Sequence, residues 1–166
     1  MTPADLLATA IIPALSRLKM DGRDARRFML VIALQESELT ARRQRSADGG
    51  ENGPAASFWQ FEKNGGCRGV ITHHTTAPIM RKVCTDFNVE PNALALWEAM
   101  RYQDIVAACA ARLLIYTLPT PLPTTAADGW AQYLDAWRPG RPRPATWAAN
   151  WANACSTVDY HPKGNQ

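Results

Sequence analysis

Apolar residues recur at helical spacing along most of this chain. Leu6, Leu7, Ala10, Ile11, Ala14, Leu15 and Leu18 share one face of a first helix, which Pro13 should kink or break because it has no amide hydrogen to donate. Residues 19–23 read as a turn. Asp21 can then cap a second helix over about residues 23–40, with Asp24 in a capping-box-like position. This helix carries Phe28, Val31, Ile32, Leu34 and Leu39. Residues 41–54 (ARRQRSADGGENGP) are polar and glycine-rich, so they predict a loop or short hairpin. The aromatic cluster Phe58-Trp59-Gln60-Phe61 follows, and then a turn at Asn64-Gly65-Gly66. Further helices are predicted over residues 78–87, 92–100, 102–118 and 126–137. The segments PTPLPTT and WRPGRPRP interrupt them, and a last short helix carries Trp147 and Trp151 four residues apart. No internal repeat or long linker is visible. The pattern predicts one mainly α domain, with a minor β element at most.

Composition adds modest constraints. The 166 residues fit a single domain, and 46% hydrophobic content is enough to bury a core. A net charge of +3 suits an anionic polymer, but the chain shows no basic helix of the kind a nucleic-acid binder needs. Cys67, Cys84, Cys109 and Cys155 lack the close pairing of a zinc clip. Cys109 and Cys155 sit among apolar neighbours and read as small core residues. No cofactor or metal is called for. His73-His74 lacks a ligand partner at metal spacing and falls at a turn. No apolar run reaches the roughly 20 residues of a membrane span, and the N-terminal stretch carries Asp5 and no basic lead, unlike a secretory signal.

One carboxylate stands out. Phe28, Ile32 and Glu36 align at i, i+4 and i+8 on the second helix, with Leu39 close below. A carboxyl at the end of an apolar stripe is costly to ionise, and a raised pKa is what a general acid for glycosidic cleavage requires. The same glutamate could also simply face water at the helix end. Glu38 differs, since Arg42 at i+4 offers it a solvated ion pair.

The residues downstream bear on this choice. Glu36-Ser37, a polar glycine-rich loop, and then Gly53-Pro54-Ala55-Ala56-Ser57-Phe58-Trp59-Gln60-Phe61 resemble the signature of lytic transglycosylases and goose-type lysozymes, within the lysozyme-like superfamily. In that family a glutamate followed by serine ends a helix, and a glycine-led segment some twenty residues later ends in two hydrophobic residues and a glutamine. Two weaker features follow in order. Residues 104–108 (DIVAA) resemble a family core helix, and Trp137-Arg138-Pro139-Gly140 stands where the family often has Tyr-Asn-Ala-Gly, departing from it by tryptophan for tyrosine and arginine for asparagine. The resemblance covers about residues 24–140. It implies a lysozyme-like domain, with a helical core beside a glycan cleft and little or no β structure. It also implies Glu36 as catalytic acid, Ser37 as its orienting neighbour and Gln60 in contact with substrate. Phe58, Trp59 and Trp137 become substrate-side candidates, although aromatic clusters of this kind more often fill a core, and a glutamine such as Gln60 can serve backbone groups instead.

The expected reaction is cleavage of the β-1,4 bond between N-acetylmuramic acid and N-acetylglucosamine, by transglycosylation or by hydrolysis. An inverting hydrolase needs a second carboxylate to activate water. Asp48 and Glu51 in the polar loop are candidates, with Glu62 just beyond Gln60, though loop carboxylates among Arg42, Arg43 and Arg45 can be merely solvated. Arg138, Arg141 and Arg143 can touch an anionic wall polymer or serve only solubility. The expected partners are peptidoglycan strands, without nucleic acid or membrane insertion. By analogy with bacteriophage enzymes, the protein would be made in the host cytoplasm and act at the cell wall, released by a holin or carried with other virion proteins. A reading of another class is a non-catalytic wall-binding or virion structural protein with the same fold.

Overall fold

Eight consecutive residues of the helix Arg23–Ser37, from Phe28 to Gln35, are buried. At 100° per residue such a run covers every side of the helix, so the stripe seen in the sequence is part of a stretch of about two turns that is enclosed all round. The structure, a computed structural model, describes residues 1–43 and 53–160. Among these residues the chain is mainly α, a single domain with one hydrophobic core. Its eight helices begin with α1 over residues 3–18, built from Pro3–Leu6, a π-helical segment Leu7–Ile11 and Ile12–Leu18. Then come α2 (Arg23–Ser37), a hairpin of β1 (Ala55–Ala56) and β2 (Phe61–Glu62), and α3 over residues 63–72. The rest are α4 (Ala77–Asp86), α5 (Ala93–Ala99), α6 (Asp104–Tyr116), α7 (Ala126–Trp137) and α8 (Pro144–Tyr160). No described helix is long and apolar enough to cross a membrane.

Local chemistry accounts for most of the boundaries. Pro13 does not break α1, because the π-helical segment Leu7–Ile11 immediately before it absorbs the missing hydrogen bond. Asn92 caps α5, its side-chain oxygen accepting from the Ala95 amide at 2.9 Å, and Thr125 caps α7 in the same way toward Asp128 at 3.2 Å. Asp21 does not cap α2. Gly22 holds that position, one residue later, and the Asp21 carboxylate instead accepts from the Arg26 guanidinium at 2.7 and 2.5 Å. The last helix is longer than expected, with 17 residues, because WANACSTVDY continues without a breaker.

Helix α8 lies antiparallel along α2 and is pinned near both ends. At one end Asp159 accepts from Arg23 and Arg27 at 2.8–2.9 Å. These guanidiniums, Arg23 first, pull the Asp159 carboxyl down to about 2. The contact therefore stabilises the fold above the ordinary carboxylate range and fades as pH falls toward that value. At the other end the buried Gln35 amide donates to the Arg143 carbonyl at 2.9 Å and accepts from Thr146 and Asn150 at 3.0 and 2.9 Å. Helix α6 is also buried over most of its length, from Val106 to Leu113.

The cysteines are free. Cys67, Cys84 and Cys109 are buried and Cys155 is partly so. Burial pushes the Cys67 and Cys109 thiols up to about 12, which makes them inert core residues.

Helix α7 packs on α8 closely at Gly129, beside the contacts of Trp147 with Trp130, Tyr133 and the Ala126 carbonyl. A Cβ on Gly129 would stand 2.4 Å from Trp151 Cζ3 and 3.2 Å from Trp147 Cζ2. Gly129→Ala is therefore expected to lower stability in urea unfolding by about 1–3 kcal/mol, the usual cost of overpacking, despite the better helix propensity of alanine.

Candidate active site

Helix α2 ends at Ser37, where Glu38 and Leu39 turn into the left-handed region with φ of 51° and 56°. The buried run of this helix thus ends directly on a cleft of about 760 Å³. Glu36 lines this cleft, as do Ser37, Gln60, Phe61, Glu62, Tyr133, Trp137 and the loop from Arg138 to Arg143. The Glu36 side chain is half-buried, and the Tyr133 hydroxyl donates to its Oε1 at 2.6 Å. Desolvation raises the Glu36 pKa and is the largest influence on it; the Tyr133 hydrogen bond and the positive charge of Arg143 oppose it without reversing it. The sequence expectation of a carboxyl held toward its neutral form agrees in direction.

Tyr133 is the residue that sequence reasoning missed. It sits on α7, 97 positions from Glu36, nearly fully buried between Trp147 at 5.2 Å and Trp137 at 6.5 Å, both stacked, with Trp130 tilted at 5.3 Å. Burial raises the Tyr133 pKa, and the nearby Glu36 raises it further, so this hydroxyl stays protonated and remains a donor. The available signal was the i, i+4 pair Tyr133 and Trp137. The sequence comparison placed the tryptophan where the family has its tyrosine, while a tyrosine stood one turn earlier on the same face.

The other expected residues divide into two groups. Gln60 and Trp137 reach the cleft. Gln60 closes the turn between β1 and β2 with φ of 51°, its amide nitrogen donating to the Ser57 carbonyl at 2.8 Å. Trp137 packs edge-on against Phe61 at 5.9 Å and donates its indole hydrogen to the Trp59 carbonyl at 2.8 Å. Phe58 and Trp59 are core residues instead. The Trp59 indole donates to the Met29 carbonyl on α2 at 2.9 Å, and Phe58 lies under the Arg42 guanidinium at 4.7 Å. Of the aromatic cluster, Phe61 is the one that borders the cleft. Ser37 lines the cleft, but its hydroxyl donates to the Ala33 carbonyl at 3.0 Å and accepts from the Leu39 amide at 3.3 Å. The group that contacts the Glu36 carboxylate is Tyr133.

The expected pairing of Glu38 with Arg42 does not form. Once the helix has ended, the i+4 relation no longer holds, and Arg42 makes a two-pronged contact with Asp104 at the start of α6, at 2.8 and 2.7 Å. Glu38 accepts from Arg143 at 2.7 Å, and Arg143 also donates to the Gln35 carbonyl. Asp48 and Glu51 lie outside the described residues. Glu62 is exposed on the cleft and has no ion-pair partner among the described residues. His73 and His74 lie against each other with tilted rings, centroids 4.5 Å apart, in the turn before α4. Among the described residues no group of three or more His, Cys, Asp or Glu is placed to hold a metal.

No family model, curated protein or solved structure matches this chain. The functional reading therefore rests on the geometry of the cleft and on the motif resemblance alone.

The Glu36–Tyr133 contact makes a signed prediction. The hydrogen bond favours the carboxylate, so Tyr133→Phe should raise the Glu36 pKa further. A carboxyl titration followed by NMR should show the midpoint moving up; a midpoint that stays or falls would contradict the assignment.

Proposed function

We propose that this protein cleaves the β-1,4 bond between N-acetylmuramic acid and N-acetylglucosamine in peptidoglycan, in the manner of a lytic transglycosylase. The observation that carries the proposal is the placement of Glu36. It is a carboxyl held toward neutrality by burial, with a permanent donor on one oxygen, at the wall of a cleft that also holds the glutamine of the resembled signature. A lysozyme-like arrangement of helices around a glycan cleft belongs to the same proposal.

The chemistry follows from those groups. Protonated Glu36 gives its proton to the glycosidic oxygen as the bond from that oxygen to the anomeric carbon breaks, leaving an oxocarbenium-like sugar. The new carboxylate forms beside the Tyr133 hydroxyl, which already points at it, and within the field of Arg143. Glu36 then takes the proton from the muramyl 6-hydroxyl while that oxygen attacks the anomeric carbon. A 1,6-anhydro end forms and the acid is regenerated, with no water consumed and no second carboxylate required.

Hydrolysis is the second reading, favoured by the free position of Glu62 on the cleft. There a carboxylate, Glu62 or the loop residues Asp48 and Glu51, would activate a water and leave a reducing end. In either case the protein acts at the bacterial cell wall, in keeping with a phage lysis or entry enzyme. The third reading, a non-catalytic wall-binding or virion structural protein, predicts that Glu36 is dispensable.

One experiment separates the three. Purified peptidoglycan digested with the protein should release fragments with anhydro ends by mass spectrometry. Reducing ends would move the assignment to the hydrolase, and no soluble fragments would remove both. Glu36→Gln should abolish release by at least about a thousandfold, of the order expected for losing an essential acid. The same variant should be more stable than the wild type at neutral pH. A carboxyl whose pKa is raised by folding favours the fold below its ordinary range and loses that contribution as pH rises through the raised value. Glutamine carries no such cost, so its melting temperature should exceed the wild type's at pH 7 and approach it in acid.

A further inference from the structure

The cleft wall carries four arginines, Arg43, Arg138, Arg141 and Arg143, against three glutamates, of which Glu36 is held toward neutrality. Two of the four are committed elsewhere. Arg43 lies on the Trp97 ring at 5.2 Å, and Arg143 holds Glu38 and the Gln35 carbonyl. Arg138 and Arg141 are exposed on the same cleft, and neither has a carboxylate partner among the described residues. The segment that carries them is anchored on both sides, by the end of α7 and by the Gln35 contacts to residues 143, 146 and 150. Arg138 occupies the left-handed cap of α7 with φ of 47°, a conformation that favours glycine or asparagine. Its Nε donates to the Asp135 carbonyl at 3.2 Å, which orients the guanidinium, and its two terminal nitrogens have no hydrogen-bond partner among the described residues. A strained backbone that keeps an arginine on a substrate cleft points to a use for that arginine.

We infer that Arg138 and Arg141 form a carboxylate subsite for the peptide stems of the glycan strand. This rests on the peptidoglycan reading above. In an intact strand the muramyl lactyl group is tied up as an amide, so the free carboxylates lie on the stems. A planar guanidinium suits such a group better than it suits a neutral sugar. The cleft then reads the strand twice, Glu36 at the glycosidic bond and the arginine pair at the stem. Stem-bearing glycan is the preferred substrate.

The test uses Glu36→Gln, which binds without cleaving, and sacculi stripped of phosphate polymers so that phosphodiesters cannot contribute. Binding is measured by co-sedimentation at low salt to two forms of the same material: intact, and with stem carboxyls amidated. The expected Kd ratio favours intact over amidated strands by about tenfold or more. Adding Arg138→Ala and Arg141→Ala should bring that ratio close to one, and Arg138→Lys with Arg141→Lys should leave an intermediate value, since lysine keeps the charge and loses the fork. Circular dichroism checks that each variant is folded. A ratio near one before the arginines are changed, or one unaltered by changing them, overturns the subsite. Failure of the wild type to release any fragment would instead count against the cleavage reading, because binding preference is read independently of turnover.

Discussion

Placing a carboxyl at the end of a helical run that is buried on every side sets a constraint that the neighbouring structure has to meet. The run from Phe28 to Gln35 leaves no solvent along the last turns of α2, and Glu36 follows it into the cleft. Its ionised form is therefore costly, and the surroundings limit that cost without removing it. Tyr133 supplies one hydrogen bond and Arg143 a positive field, while burial remains the largest influence on the carboxyl. Each supporting element has its own anchor. Tyr133 is held by α7, which rests closely on α8 at Gly129, and α8 is held to α2 by Gln35 and Asp159. The packing thus runs from α2 through α8 and α7 back to the helix on which it began.

The enclosure also explains the local strain. A buried helix that must stop at the cleft needs a sharp exit, and Glu38 and Leu39 provide it with left-handed backbone. The hairpin turn facing it has Ser57 and Gln60 in the same region, and Arg138 repeats the feature at the end of α7. These are positions where L-residues cost energy relative to glycine. Three of them, Glu38, Gln60 and Arg138, line the cleft, and strain at such positions is held in place by the surrounding packing.

Much of this was legible in the chain, and the failures have physical causes. Helix periodicity depends on local spacing, so α1, α2 and α4 to α7 fell close to their expected positions, and the burial of Phe28 and Ile32 beside Glu36 was visible. Helix α3 was not, because Asn64-Gly65-Gly66 reads as a turn although it lies inside that helix. The Glu38–Arg42 expectation failed because it assumed a helix past Ser37, and only tertiary packing determined where the helix stopped. Trp59 was legible as an aromatic. That its indole serves the Met29 carbonyl, 30 residues away, was not. Tyr133 was missed for the same reason: nothing in the spacing of a single chain says which of two aromatic residues one turn apart will face a carboxyl on another helix.

The segment from Arg138 to Pro142 contributes almost nothing to the core; apart from the half-buried Pro139 its residues are exposed, while the residues that hold it lie on either side. Under the proposed function, chemistry and recognition would sit on parts of the molecule that packing constrains to different degrees. Substitutions at Glu36 or Tyr133 act on a packed interior, whereas this strap can be rewritten residue by residue at little cost to folding. On the proposed reading, changes in this strap would retune what the cleft accepts while leaving the chemistry at Glu36 unchanged.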